Sequence, residues 1–391
     1  MSRPIYMDYH ATTPVDRRVL DAMMPFFTEN FGNAASVQHR YGWIAKEAVD
    51  LARRTVASAI HAQNREIIFT SGATESNNLA IKGIAHANRD KGKHIITTKI
   101  EHKCVLDSCK KLENEGFRIT YLGVDSMGLI DLEELKNAMS AETILVSAMI
   151  ANNEIGTIQP FEEIGKLCTE RGIIFHTDAT QAIGKIVVDV QSANIHAMSF
   201  SSHKMYGPKG VGALYVRSKN PKVYIEPQMD GGGHEHGIRS GTVNVSGIVG
   251  FGKAVQLAGE LMNDESQRLV SLRDALQSKI SALDNVTING STERRLPNNL
   301  NVTFHGVHAD MLMTELSDIA VSAGAACNSE EPGGERYSHV LNAIGLNEEA
   351  GKSTVRFGLG RFTSEEEIET VANRVVAGVE KLRTFTLEGV Q

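Results

Sequence analysis

The clearest regularity in the chain is a run of short apolar segments separated by amphipathic ones, between about residues 65 and 216. The apolar segments at 66–70, 94–98, 117–122, 143–150, 173–178, 195–200 and 213–216 are bounded by turn residues and predict buried strands. Helical spacing fills the gaps, with helices predicted up to residue 88 and over 105–115, 132–139 and 161–171. Strands alternating with helices predict an α/β domain with a mostly parallel, seven-stranded sheet flanked by helices. Two further helices, over 16–27 and 44–60, precede the alternation. After Gly247 the pattern changes. A long helical stretch covers about 248–283, and residues 299–304 then alternate with period two, as a half-buried antiparallel strand does. The last helix opens at Ser364 with Glu367 three residues on, a capping box, and carries Ile368, Val371, Val375, Val379 and Leu382 on one face. The change places a boundary near residue 260. A large domain is expected over 15–260, and a smaller α+β domain over 261–391 together with residues 1–14.

Composition narrows the class. A chain of 391 residues with 41% hydrophobic content can bury a large core, and a net charge of −7 gives no basic face for nucleic acid. No apolar run has membrane-spanning length, and the N-terminus lacks the apolar core of a secretory signal. The four cysteines, Cys104, Cys109, Cys168 and Cys327, show no C-x-x-C pair or disulfide-framework spacing, so a reducing, cytoplasmic setting is expected.

In parallel sheets the chemistry sits beyond the carboxyl ends of the strands. Polar clusters fall at those predicted ends: residues 71–76, Glu101 with His102, Asn152 to Glu154, 178–181 and 201–204. Ser71-Gly-Ala-Thr74 follows a strand and opens a helix, so it is either an ordinary βα turn or a phosphate site made by free N–H groups near Ala73 and the Thr74 hydroxyl. Lys204 stands on a tight loop beside Ser201 and His203, where a Schiff-base lysine is expected, although a solvated loop lysine fits the same pattern. Asp178 can pair with a protonated ring nitrogen or cap a helix. Gln181, three residues on, can reach the phenolic oxygen of the same ring. His102 can stack on an aromatic cofactor and move protons, or be an unremarkable histidine.

Cys327 lies between Ser322-Ala-Gly-Ala-Ala326 and a Pro-Gly-Gly turn, which predicts an accessible nucleophile loop; the adjacent Glu330 and Glu331 raise rather than lower a thiol pKa. The other three cysteines read as structural. A metal pair of Cys104 and Cys109 with His102 is the weaker alternative, and His234 with His236 lacks a third ligand. The glycine-rich stretch 231–242 suggests a phosphate contact through Thr242. Arg356, in a predicted strand, can hold a substrate carboxylate with its guanidinium fork.

With these residues in view, the chain resembles the NifS/IscS-type cysteine desulfurases, class V members of the fold-type I enzymes that use pyridoxal 5'-phosphate. The resemblance runs from Ile5 to about Arg383. It rests on Ala11-Thr-Thr-Pro14, Phe31-Gly-Asn33, Thr70-Ser-Gly-Ala-Thr-Glu-Ser76, Glu101-His102, Asn152-Asn-Glu-Ile-Gly156, Asp178-Ala-Thr-Gln181, Ser202-His-Lys204, Tyr206-Gly-Pro-Lys-Gly210, Arg239-Ser-Gly-Thr242 and Arg356-Phe-Gly-Leu-Gly-Arg-Phe362. The Ala325-Ala-Cys327 loop is similar to that of group I.

The resemblance implies that Lys204 forms the Schiff base with the cofactor, His102 stacks on the ring, Asp178 pairs with its nitrogen and Gln181 contacts its phenolic oxygen. Thr74, Ser201 and His203 would bind the phosphate. Thr242 would reach the phosphate of the other subunit in a homodimer with shared active sites. Asn153 and Arg356 would hold the carboxylate of L-cysteine, and Cys327 would take its sulfur as a persulfide, releasing alanine. The sulfur would pass to an acceptor, an iron–sulfur scaffold or a thiolation enzyme. A selenocysteine lyase or aminotransferase of the same fold is the alternative, and transamination needs no thiol.

Three features depart from the family pattern: His10, where a small or amide residue is more usual; the acidic Cys327 loop; and an end at Gln391, short of the tail that IscS-like members use to dock their scaffold.

Overall fold

The computed structural model describes residues 3–323 and 337–388. The chain begins with a two-residue strand, β1 (Ile5–Tyr6). Two short helices follow, Arg17–Met23 and Pro25–Thr28, where one helix was expected over 16–27. Pro25 has no N–H to extend the first helix and serves instead as the opening residue of the second. The helix Arg40–Ala59 comes next.

The expected sheet forms from β2 (Ile67–Thr70), β3 (His94–Thr98), β4 (Arg118–Leu122), β5 (Thr143–Ser147), β6 (Ile174–Asp178), β7 (Ala197–Ser201) and β8 (Gly212–Val216). Its order is β2-β8-β7-β6-β5-β3-β4. The strands from β4 to β7 are parallel, and β8 runs antiparallel to both of its neighbours. Both faces are buried except along the edge strand β4, which is why the central strands read as continuous apolar runs. Ile67, Phe69, Val146, Met198 and Phe200 join a core on one face, while Ile68, Leu145, Ala197 and Leu214 join a second core on the other.

A third core is built from the C-terminal part of the chain. It contains Leu300, Val302 and Phe304 of β10 (Asn299–Phe304), Val355 and Phe357 of β12 (Thr354–Gly358), and Val371 and Val375 of the final helix. Strand β9 (Val286–Ile288) completes an antiparallel sheet in the order β12-β10-β9. The capping box forms as expected, with Ser364 and Glu367 each accepting the other's backbone N–H at 3.1 and 3.0 Å. Strand β1 pairs in parallel with β11 (Ile319–Ala320), and Met7 joins this third core.

The helix Val245–Ile280 is continuous through residue 260. Phe251, Val255 and Leu257 pack in the first core, and Leu269, Leu272 and Leu276 in the third. Strand β10 corrects the half-buried expectation, because all six of its residues are buried. Its polar face is covered rather than solvated: Asn299 and Asn301 donate to the Glu154 carbonyl at 3.0 and 3.2 Å, and Thr303 pairs with Thr354 at 2.7 Å. A period-two pattern records two different faces and does not say that one of them is wet. No helix among the described residues is long and apolar enough to cross a membrane.

Candidate active site

A cavity of about 580 Å³ opens beyond the carboxyl ends of the parallel strands. Beyond β2, Gly72 adopts φ 151°, and the helix Ala73–Asn88 begins with no side-chain cap, so N–H groups of its first turn remain for a ligand. A Cβ on Gly212 would stand 2.7 Å from the Gly72 Cα, so only glycine lets β8 start beneath this turn. Ala73 and Thr74 line the cavity.

His102 follows β3 and caps the helix Lys103–Glu113. Its Nδ1 accepts the Cys104 N–H at 3.2 Å and lies 3.0 Å from the Cys104 Sγ. Nδ1 is therefore an acceptor, and the neutral ring carries its proton on Nε2. Desolvation holds the His102 pKa below the ordinary value. Cys104 also lines the cavity, which corrects its structural assignment, and burial pushes its thiol up to about 12. Cys109 and Cys168 are buried in core clusters, as expected.

Asp178 ends β6. Its Oδ1 accepts the Thr180 N–H at 2.9 Å and its Oδ2 the Asn77 Nδ2 at 2.7 Å. Two donors hold the carboxylate in place and leave lone pairs for a cationic partner in the cavity. Gln181 accepts at Oε1 from Lys185 Nζ (3.3 Å) and donates from Nε2 to the His10 carbonyl (3.0 Å). Burial, with Lys204 nearby, brings the Lys185 pKa down to about 7.

The connection from β7 to β8 carries Ser201, His203 and Lys204, all on the cavity wall. His203 Nδ1 meets the Thr12 hydroxyl at 3.1 Å, and burial and the neighbouring lysines lower its pKa to about 4. Lys204 Nζ donates to the carbonyls of His10 and Ala11 at 2.5 and 2.7 Å.

Across the cavity Arg356 donates from Nη1 to the Asn153 carbonyl (2.9 Å) and from Nη2 to Asp8 (2.8 Å). The fork expected for a substrate carboxylate is thus partly taken by the chain's own groups, while the Arg356 Nε is buried with no partner among the described residues. Asn153 lines the cavity as well. Thr242 is exposed and is not on this cavity, and Cys327 lies outside the described residues. Ser322 and His339, near the two ends of its segment, both line the cavity.

The glycine-rich stretch is anchored to the large sheet and to the helix beside the cavity. Glu235 is buried, pairs with both Arg53 Nη atoms at 2.7 Å and accepts the Phe69 N–H of β2. Arg239 pairs with Glu75 at 2.8 Å, which ties the stretch to the helix beside the cavity. Among the described residues, no group of three His, Cys, Asp or Glu side chains is placed to hold a metal.

The sequence profile of the family described as Aminotransferase class-V matches residues 5–371. The chain belongs to this family. Class-V relatives sharpen the placement. Cysteine desulfurase IscS of Anaeromyxobacter sp. (strain Fw109-5) is 54% identical over 389 residues, covering 99% of this chain and 95% of its own length. Among solved structures, a NifS-like protein superposes with a TM-score of 0.88 at 37% identity, covering 98% of this chain and 99% of its own. A structure of SspA in complex with cysteine superposes at 0.80 with 39% identity, covering 92% of this chain and all (100%) of its own.

Within this class-V site, several contacts escaped sequence reasoning. Asp8 pairs with Arg356, Asn77 holds Asp178, and Glu101 accepts the Met149 N–H at 2.9 Å while burial pushes its pKa up to about 8. His339 Nε2 meets the Glu101 carbonyl at 2.9 Å. Asp8 and Glu101 sit inside or beside recognised motifs, so their neighbourhood was a signal. Their partners were not.

Proposed function

We infer that the chain is a cysteine desulfurase, which removes the sulfur of L-cysteine, releases L-alanine and holds the sulfur as a persulfide on Cys327. The observation that carries this reading is one cavity onto which Lys204, Asp178, Gln181 and Arg356 converge, in a chain 54% identical to a curated desulfurase. Pyridoxal 5'-phosphate is the cofactor of this reading. Ala73, Thr74, Ser201 and His203 would hold its phosphate, Asp178 its ring nitrogen and Gln181 its phenolic oxygen. His102 would lie against its face, and Lys204 Nζ would bear its aldehyde carbon. When bound, the cofactor supplies the sink for the electron pair left at the substrate Cα.

Arg356 and Asn153, both on the cavity wall, orient the substrate carboxylate. Lys204 Nζ takes the Cα proton, a role open to an amine that is neutral once displaced. His102, neutral and protonated on Nε2, moves protons at the substrate thiol and at Cβ. The Cys327 thiolate takes the substrate sulfur: an S–S bond forms, the Cβ–S bond breaks, Cβ gains one proton, and Lys204 Nζ returns a proton to Cα, giving alanine. The reaction needs Cys327 as a free thiol, which suits a reducing cytoplasm.

Thr242 stands away from its own cavity, which supports a homodimer in which it contacts the phosphate held by the other copy. Exposed Phe31, Tyr41 and Trp43 give the chain apolar surface for such pairing. Separate cores support reading 15–260 as the large domain, with 1–14 and 261–391 as the small one carrying Cys327. The sulfur then passes to an iron–sulfur scaffold or a thiolation enzyme.

The deciding experiment adds L-cysteine to the chain loaded with pyridoxal phosphate, then assays alanine and measures the mass of the Cys327 peptide. Equimolar alanine and a Cys327 one sulfur atom heavier are expected. Full sulfur release by Cys327→Ala would sink the persulfide step, and a cofactor band with no alanine would reopen the substrate.

A further inference from the structure

His10 is a buried histidine that the reaction above does not use; it is 1% exposed. Both ring nitrogens are engaged. Nδ1 lies 3.0 Å from Gln181 Oε1, and Nε2 lies 3.2 Å from Asn299 Nδ2. The charged groups facing the ring are Lys185, Lys204 and Arg356, the last paired with Asp8. Burial, with Arg356, Lys185 and Lys204 beside the ring, keeps the imidazole neutral, so it has one N–H to give.

The neighbouring groups decide which nitrogen carries it. Lys185 Nζ donates to Gln181 Oε1, and Gln181 Nε2 donates to the His10 carbonyl. A flipped amide would set Oε1 against that carbonyl oxygen and Nε2 against the Lys185 amine. The amide oxygen therefore faces the ring, Nδ1 is the donor, and Nε2 accepts from Asn299. Asn299 is itself fixed by donating to the Glu154 carbonyl at 3.0 Å.

We propose that His10 is a positioning residue that, together with Lys185, locks the Gln181 amide so that one Nε2–H is presented to the cavity as a fixed donor. Its target is the phenolic oxygen of the cofactor, so this role rests on the cofactor reading given above. The same turn delivers the His10 carbonyl to Lys204 Nζ, so one short segment sets both the lysine and the amide. With the cofactor bound, a donor held at the phenolic oxygen would stabilise its anion and so lower the pH at which the neighbouring Lys204 nitrogen gives up its proton. Loss of the donor raises the pH at which that proton leaves.

The test loads wild type, His10→Leu, His10→Asn and Gln181→Ala with pyridoxal phosphate and reads the pH midpoint of the visible band. His10→Leu and Gln181→Ala are expected to raise the midpoint by about 0.5–1 pH unit, the scale of one neutral hydrogen bond. His10→Asn keeps a donor near the Nδ1 position and is expected to retain the wild-type midpoint. Nitrogen-15 NMR of histidine-labelled protein without cofactor, with His10 assigned by its absence in His10→Asn, should show the Nδ1–H tautomer and stands even if His10→Leu does not fold.

A His10→Leu midpoint equal to wild type, with Gln181→Ala shifted, overturns the positioning role and leaves the cofactor reading intact. An Nε2–H tautomer overturns it whatever the cofactor does. If wild type develops no Lys204-dependent band, the cofactor reading falls and the positioning role falls with it.

Discussion

On the side of the seven-stranded sheet, Asp178 and Ser201 end their strands, Lys204 follows within one turn, and Thr74 opens the helix after β2. Across the cavity, Arg356 sits mid-strand and is oriented by Asp8, while His10 is gripped by Gln181 and Asn299. The first side gets its geometry from topology, because parallel strands deliver their ends to one edge. The second side depends on the N-terminal turn returning to the C-terminal core through β1 and β11. In the proposed function, groups on the sheet side would serve chemistry on the ring and the Cα, and those on the other side would hold the substrate and set the posture of the first.

The largest effect that would sharpen this contrast is on the sheet side. Lys204→Ala should slow alanine formation from L-cysteine by about 10³-fold, the scale of a positioned proton-transfer group. A variant within tenfold of wild type, with an unchanged circular dichroism spectrum, would break the division of labour.

The next effect is one of stability, and acid reveals it. His94 and His176 within the sheet, and His196 at its margin, are buried and bonded to neutral partners; burial lowers each pKa to about 4. The folded state resists protonating them, while the unfolded chain binds protons below its ordinary histidine pKa. Their contribution is therefore constant above that value, is lost as pH falls through it, and levels off near 4. Between pH 7.5 and 5.5 the loss should be roughly 1 kcal/mol for each of the three, read as a falling urea midpoint. A flat midpoint over that range would contradict the buried, neutral assignment.

On the opposite side, Arg356→Lys should raise KM for cysteine about 10- to 100-fold, the range of a charged hydrogen bond, because an ammonium cannot reproduce the planar fork. A kcat loss without a KM change would move Arg356 from substrate holding to the chemical step. The smallest effect lies outside the cavity: Ser364→Ala should cost about 1 kcal/mol through loss of the helix cap. Activity should be unchanged, and an effect on KM would mean the small core transmits strain to the site.

Much of the sheet side was legible because each of its groups follows a strongly apolar run, and strand ends announce themselves by a switch from apolar to turn-forming residues. The break at Pro25 was equally local, yet a helix pattern read over 16–27 passed across it. The burial of β10 was not legible. Asn299 and Asn301 are polar in composition, and only their placement against the Glu154 carbonyl makes them interior. Likewise nothing near Glu235 indicates that it sits under β2 with Arg53. Cys104 showed a similar limit: one residue of helix phase turns a core thiol into a cavity-lining one.

By itself the sequence determined the order of strands and helices, the α/β class, the caps of the final helix and the groups that stand at strand ends. These follow from local periodicity, turn chemistry and the constraint that a parallel sheet covers both of its faces. Tertiary structure alone decided that Asp8 meets Arg356, that His10 meets Gln181 and Asn299, and that one helix serves two cores. Those contacts join residues far apart in the chain, and their geometry is set by how whole cores dock. The energy of docking is spread over many apolar contacts, and no short stretch of sequence records it.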